Sequence, residues 1–254
     1  AFDLVFIGDS ITHFWEKCSW FATDGSEELA ELKKRYSILD LGFAGDGTEH
    51  VLWRLQNGQA DGYRAKCFML LIGTNNKQGP VEDVARGVGA ILDLLREKHP
   101  ESTVLLVSVF PRDVCPGDPL RMRMERLNAL TETYVDGLKI RRIDLTERFL
   151  TKDGFLDLSL FCKDRVHLNA KGYRLWRTAM EPFFDELAGD TRPYEFKDAN
   201  RTEDEIAPWV DFESGPDWRA EPSDAATAAV TSERMLFGRH TLAVKHTAAT
   251  EIRI

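Results

Sequence analysis

The sequence has no surplus of positive charge: 33 Lys and Arg stand against 42 Asp and Glu, leaving a net charge of −9 over 254 residues. That balance argues against a nucleic-acid partner, because phosphate backbones are bound by basic faces. The local basic run KIRR at 139–142 reads as solvated surface. Long apolar runs are also missing. None approaches the roughly 18–20 residues needed to cross a bilayer, so no membrane span is expected. No basic segment followed by an apolar one opens the chain, as a signal peptide would. An initiator Met is absent and the first residues already read as a strand. The expectation is that a signal peptide or further domain was removed upstream, favouring a secreted or periplasmic location over the cytoplasm. Cysteine is scarce: Cys18, Cys67, Cys115 and Cys162 show neither C-x-x-C nor regular spacing, and they do not fix the redox compartment. Cys67 lies in an apolar run and reads as a buried free thiol. Internal repeats and low-complexity segments are lacking as well.

What is present is a soluble, core-forming composition, 43% hydrophobic and 30% charged, long enough for one large α/β domain with a smaller appendage. Up to about residue 188, short apolar runs alternate with amphipathic stretches, the pattern of a parallel sheet with crossover helices. The strand runs are DLVFIG, YSILDLG, CFMLLIG, TVLLVSVF and KIRRIDL. Runs apolar on both faces predict a sheet covered on both sides, hence three α/β/α layers around five parallel strands. SEELAELKKRY and VEDVARGVGAILDLLREKH carry helical spacing, the second with an apolar stripe of Val84, Val88, Ile91, Leu92 and Leu95. PLRMRMERLNALTETYVDGL follows the fourth strand run, which Pro111 closes. NAKGYRLWRTAMEPFFDELAG reads as a last helix capped by Asn169, ended by Gly189 and open to a kink at Pro182. The total is five strands and about five helices in a domain over 1–190.

Beyond residue 190 the texture changes. A linker is expected over 191–207 and a β-rich segment over 208–254, where ERMLFGRHTLAVKH and TEIRI alternate like antiparallel strands. That segment is too short for a free-standing β-sandwich of about 100 residues. It reads either as an incomplete domain or as a cover packed on the first one.

In a parallel α/β sheet, sites collect beyond the carboxyl ends of the strands. The first strand ends in Gly8-Asp9-Ser10, the second in GFAGDGTEH, and the third in GTNN with Asn75 and Asn76. DRVHLN, ahead of the last helix, places Asp164 three residues before His167. Taken singly, each is ordinary: GDS reads as a turn or helix cap, His167 as a satisfied histidine, Asp164 as a helix-entry charge. The G-D-G turn fits neither phosphate-loop pattern. Together they supply one chemistry. A serine hydroxyl needs a base, which His167 can be, and the imidazole needs a partner such as Asp164 to hold its tautomer. An oxyanion needs donors aimed in advance, which the Gly45 and Ser10 backbone N–H groups and the Asn75 amide can be. Asp9, Asn76 and Trp15 are the candidate substrate-binding residues, with Phe14 and Trp53 further candidates for shaping the crevice, although Trp15 and Trp53 fit the core equally.

GDS near the start, the glycine turn FAGDGTEHVLWRL, Asn in GTNN and the D-x-x-H of DRVH resemble the four blocks of the SGNH, or GDSL-type, hydrolases over about residues 3–188. Within that superfamily, GDGTEHVLWRLQNG and LLIGTNN are similar to the catalytic subunits of brain-type platelet-activating-factor acetylhydrolase. The resemblance implies Ser10 as nucleophile, His167 as base, Asp164 as its orienter, and Gly45 with Asn75 as oxyanion donors. It also implies a flavodoxin-like sheet, no metal or other cofactor, and, from dimers among the acetylhydrolase subunits, a homodimer as one arrangement. VDFESGPDW and LFGRHTLAVKH resemble the opening strands of jelly-roll carbohydrate-binding modules. The expected function is a serine esterase cleaving small acyl groups, above all acetyl, on a carbohydrate. An acetyl-phospholipid or thioester acylhydrolase is the competing enzyme reading. A non-catalytic glycan-binding protein on an esterase scaffold is the reading from another class.

Overall fold

A computed structural model of the chain describes residues 1–188 and the strands at 226–231 and 241–246. The expected linker, the VDFESGPDW and TEIRI segments and Gly189 lie outside the described residues. The chain divides into two compact units, Ala1–Asn200 and Arg201–Ile254.

In the first unit, β1 (Phe2–Gly8), β2 (Ile38–Gly42), β3 (Ala65–Leu71), β4 (Thr103–Val107) and β5 (Ile140–Ile143) form one sheet in the order β2-β1-β3-β4-β5. Every pairing is parallel, with Gly8 level with Gly42 on one side and Leu71 on the other. This is the flavodoxin-like order. The chain leaves β1 for one neighbour and returns to the other, which opens a crevice at the carboxyl ends of β1 and β3.

Alternation along β1 decides which layer each side chain joins. Leu4 and Phe6 enter a cluster with Leu29 and Leu32 of α2 (Ser26–Lys33) and with Tyr173, Trp176, Met180 and Phe184 of α6 (Ala170–Ala188). Val5 and Ile7 face the other way, against Val51 of α3 (Thr48–Arg54) and Val88, Ile91, Leu92 and Leu95 of α4 (Val81–Lys98). Each such side chain, fully buried, stabilises the fold by roughly 1.5–3 kcal/mol. Val84 and Ala85 of α4 also pack on Met124 and Leu127 of α5 (Pro119–Thr131). Cys67 is buried in the sheet, and burial pushes its thiol up to about 12.

Two details depart from the sequence reading. The GFAGDGTEH stretch, read as a glycine-rich turn, gives way after Gly47 to α3, which is followed by a wide turn at Leu55–Gln59. The helix expected over 119–138 ends at Thr131 and a short 3-10 turn, because the Asp136 carboxylate accepts the N–H groups of Leu138, Lys139 and Ile140 and bends the chain into β5. α6 begins on Asn169, whose side chain accepts from Lys171 and Gly172, and runs as one helix through Pro182.

In the second unit, β6 (Ala226–Thr231) pairs antiparallel with β7 (Thr241–His246), from Ala226 opposite His246 to Thr231 opposite Thr241.

Candidate active site

Ser10 opens α1 (Ser10–His13), a single helical turn directly after β1. Asp9 caps it, its Oδ1 accepting from the Ile11 N–H at 2.9 Å. Tyr173 of α6 donates its hydroxyl to the Ile11 carbonyl at 2.8 Å, so the turn that carries Ser10 is held from both ends. Gly8 is required here, since a Cβ would lie 2.4 Å from the Leu71 carbonyl oxygen of β3.

The histidine arrives from a compact hairpin before α6. Phe161 bridges Leu168, and the Cys162 N–H donates to the His167 carbonyl at 2.7 Å. Inside that hairpin Asp164 Oδ1 accepts the backbone N–H groups of Val166 and His167, while Oδ2 meets His167 Nδ1 at 2.5 Å. Partial burial works against the Asp164 carboxylate, but the His167 ring, the two backbone N–H groups and the His167 charge together hold its pKa below the ordinary value. With Nδ1 donating to Asp164, Nε2 faces Ser10 Oγ at 2.8 Å as an acceptor. Serine, imidazole and carboxylate thus form one hydrogen-bonded chain, able to take a proton from Oγ as a carbonyl is attacked.

The second group of residues surrounds the turn after β2. Gly45 has φ +90, a left-handed conformation, with open space where a Cβ would stand. Backbone handedness, rather than close packing, is what demands glycine there. The Asn75 side chain donates one N–H to the Asp46 carbonyl at 2.9 Å, tying the end of β3 to the Gly45 turn and leaving its other N–H available. Arg54 of α3 braces the same turn, its Nε and Nη2 on Asp46 Oδ2 at 3.0 and 2.5 Å and its guanidinium 4.2 Å over the Phe43 ring.

The remaining site candidates are placed differently. Trp15 is 1% exposed and packs against Phe6, Tyr173 and Trp176, so it belongs to the core and not to the crevice. Asp9, also 1% exposed, is turned inward as a cap, and burial pushes its carboxyl up to about 7 against the Ile11 N–H and the Arg112 charge. The Asn76 amide is engaged by α3, accepting from the Thr48 N–H at 3.0 Å and donating to Glu49 at 2.8 Å. It braces the start of α3.

Three residues near the site were not singled out by the sequence reading. Phe21 lies 4.9 Å from the His167 ring, beside Phe14 at 5.1 Å. Trp20, 67% exposed, stands edge-on to Phe14 at 5.3 Å. These aromatics sit on an irregular loop with no periodicity to reveal them. Arg112, 7% exposed and following β4, would have emerged from asking what ends the fourth strand as well as the others. Among the described residues no group of three or more His, Cys, Asp or Glu is arranged to hold a metal, and no helix is long and apolar enough to cross a membrane.

The same arrangement has kin. The sequence profile of the GDSL-like Lipase/Acylhydrolase family matches residues 6–175. Platelet-activating factor acetylhydrolase IB subunit alpha1 of Pongo abelii is 34% identical over 172 residues, covering 67% of this chain and 70% of its own length. A GDSL-like lipase from Bacteroides thetaiotaomicron shares the fold with a TM-score of 0.59 at 18% identity, covering 72% of this chain and 88% of its own. An acetyl xylan esterase from Geobacillus stearothermophilus does so with a TM-score of 0.54 at 17% identity, covering 77% and 97%. With the profile spanning most of the fold that carries Ser10, Asp164 and His167, the chain belongs to the GDSL-like lipase/acylhydrolase family and is a carboxylic ester hydrolase.

Proposed function

We propose that the protein is a serine esterase that removes small acyl groups, above all acetyl, from a carbohydrate through an acyl-enzyme. The observation that carries this reading is the chain of contacts from Ser10 Oγ through His167 to Asp164, at 2.8 and 2.5 Å. Ser10 Oγ attacks the ester carbonyl carbon while its proton passes to His167 Nε2. The carbonyl oxygen, now negative, takes hydrogen bonds from the free Asn75 N–H and the Gly45 and Ser10 backbone N–H groups. Collapse of this intermediate breaks the ester C–O bond, and His167 returns the proton to the leaving alcohol. Water, deprotonated by His167 in turn, releases the acid and restores Ser10.

Acetyl as the acyl group is supported by the names of the relatives, which include an acetylhydrolase and an acetyl xylan esterase. A sugar as the alcohol is supported by the rim. Trp20 and Phe43 are exposed, with Phe43 flanked by His13 and covered by Arg54. Flat rings beside polar groups suit a pyranose, which has an apolar C–H face and a hydroxyl edge. The 34% identity to a platelet-activating factor acetylhydrolase subunit favours an acetyl-phospholipid as the second reading.

Hydrolysis of p-nitrophenyl acetate by wild type and by Ser10→Ala tests the mechanism. The variant is expected to lose at least about 10⁴-fold in rate, and equal rates would sink the proposal. Acetylated xylan oligomers set against an acetyl-glycerophospholipid decide the alcohol: higher kcat/KM on the lipid would replace the sugar with the second reading.

A further inference from the structure

Arg112 has no part in the steps above, yet it touches the machinery from behind. Its Nη1 donates to the Thr74 carbonyl at 3.2 Å and to Thr74 Oγ1 at 2.8 Å. It is itself held by a second arginine: Arg121, 1% exposed, donates from Nε to the Arg112 carbonyl at 3.2 Å, from Nη2 to the Asp113 carbonyl at 3.4 Å and from Nη1 to the Gly154 carbonyl at 3.2 Å. Among the described residues neither guanidinium contacts a carboxylate, although the charges of Asp113, Asp9 and Asp164 act on Arg112 from farther off. Two buried arginines bonded to carbonyls are an expensive arrangement, since a desolvated charge gains most from a contacting carboxylate. Such a cost points to a purpose in the position of the charge.

The residues around Arg112 supply one. Thr74, which it grips, immediately precedes Asn75, and Asp9, whose carboxyl feels its charge, immediately precedes Ser10. Asp9 Oδ2 and Arg112 Nε are both buried and make no hydrogen bond among the described residues. One of these unpartnered atoms belongs to the residue before Ser10, and the other to the guanidinium that grips Thr74, the residue before Asn75. Asp164, the carboxylate behind His167, also lies within the field of Arg112.

We propose that Arg112 is a positioning residue for the oxyanion hole: it fixes the Thr74 backbone so that the Asn75 amide is aimed before substrate arrives. The donors must be immobile to act on a charge that exists only in the transition state. A donor displaced by about 1 Å loses about a hundredfold in rate without weakening ground-state binding.

The proposal rests on the esterase reading of Ser10. It is tested on the full chain by kinetics with p-nitrophenyl acetate and by the affinity of phenylboronic acid, whose tetrahedral serine adduct mimics the oxyanion. Arg112→Met is expected to lower kcat about a hundredfold with KM within about threefold of wild type, and to weaken the boronate by a similar factor. Arg112→Lys, which keeps the charge and one donor to Thr74, is expected to recover about tenfold of that loss. A folded Arg112→Met protein with wild-type kcat, with a change in KM alone, or with unchanged boronate affinity overturns the proposal. If Arg112→Met does not fold by near-ultraviolet circular dichroism, Thr74→Val takes its place: it keeps the shape and removes the Oγ1 acceptor. About a fivefold loss in both kcat and boronate affinity is then expected, and wild-type values in both overturn the proposal. A wild-type chain inert toward p-nitrophenyl acetate defeats the esterase reading, whereas an active one with an equally active Arg112→Met defeats only the role of Arg112.

Discussion

The Asp164–His167 turn carries its geometry within four residues, whereas the proposed donors Gly45 and Asn75 are held by contacts that reach across the sequence. Asp164 binds the backbone of Val166 and His167 with one oxygen and the imidazole with the other, so one short loop fixes both distance and tautomer. Asn75 instead depends on Asp46, Asp46 on Arg54, and Thr74 on Arg112. The comparison teaches where each half is vulnerable. The local half fails when one of its own residues changes, and the distributed half degrades in steps as its supports are removed.

The largest effect should come from the local half. Asp164→Asn leaves the loop in place but spoils the hydrogen bond that sets the imidazole tautomer, and kcat on p-nitrophenyl acetate is expected to fall about 10⁴-fold. A fall under tenfold would mean that Asp164 does not orient His167. Next comes the donor itself. Asn75→Ala should cost about 10²–10³ in kcat with KM little changed, and a loss confined to KM would place Asn75 in ground-state binding instead. Its support should matter less: Arg54→Met frees Asp46 and is expected to lower kcat about tenfold. An effect as large as that of Asn75→Ala would show the distributed half to be as brittle as the local one.

The smallest effect is one of stability. Burial raises the Asp9 carboxyl from 3.8 to about 7 in the folded chain. Between those values the folded state keeps a proton that the unfolded state has released, so this group's stabilising contribution is lost as pH rises from about 4 to about 7. Asp9→Asn cannot ionise and should escape that loss. Relative to wild type it should gain stability as pH rises across this window, by at most about 1.4 kcal/mol for each pH unit. Denaturant melts at pH 4.5 and 7.5 check it, and a constant difference between the two proteins would contradict a protonated Asp9.

The contrast between the halves also explains what could be read from the letters. D-x-x-H was legible because three-residue spacing alone brings the two side chains together, and Ser10 because it ends an apolar run. The α/β alternation was legible because strands buried on both faces must be apolar throughout. Trp15 was misplaced, and the Asn76 contacts with α3 went unseen, for the opposite reason. Whether an amide after β3 faces a crevice or a neighbouring helix, and whether an indole after α1 points to solvent or core, depends on elements far away in sequence. Arg112 was missed because a single arginine after a strand looks like surface until its burial is seen.

By itself, then, the sequence determined the layered sheet and the Asp164–His167 pair, both of which follow from periodicity or short-range spacing. Only the tertiary structure decided which strand ends adjoin, and so which amide, guanidinium and aromatic rings stand around Ser10. The strand order puts β1 between β2 and β3, and an order is a choice among packings that local chemistry leaves equally available.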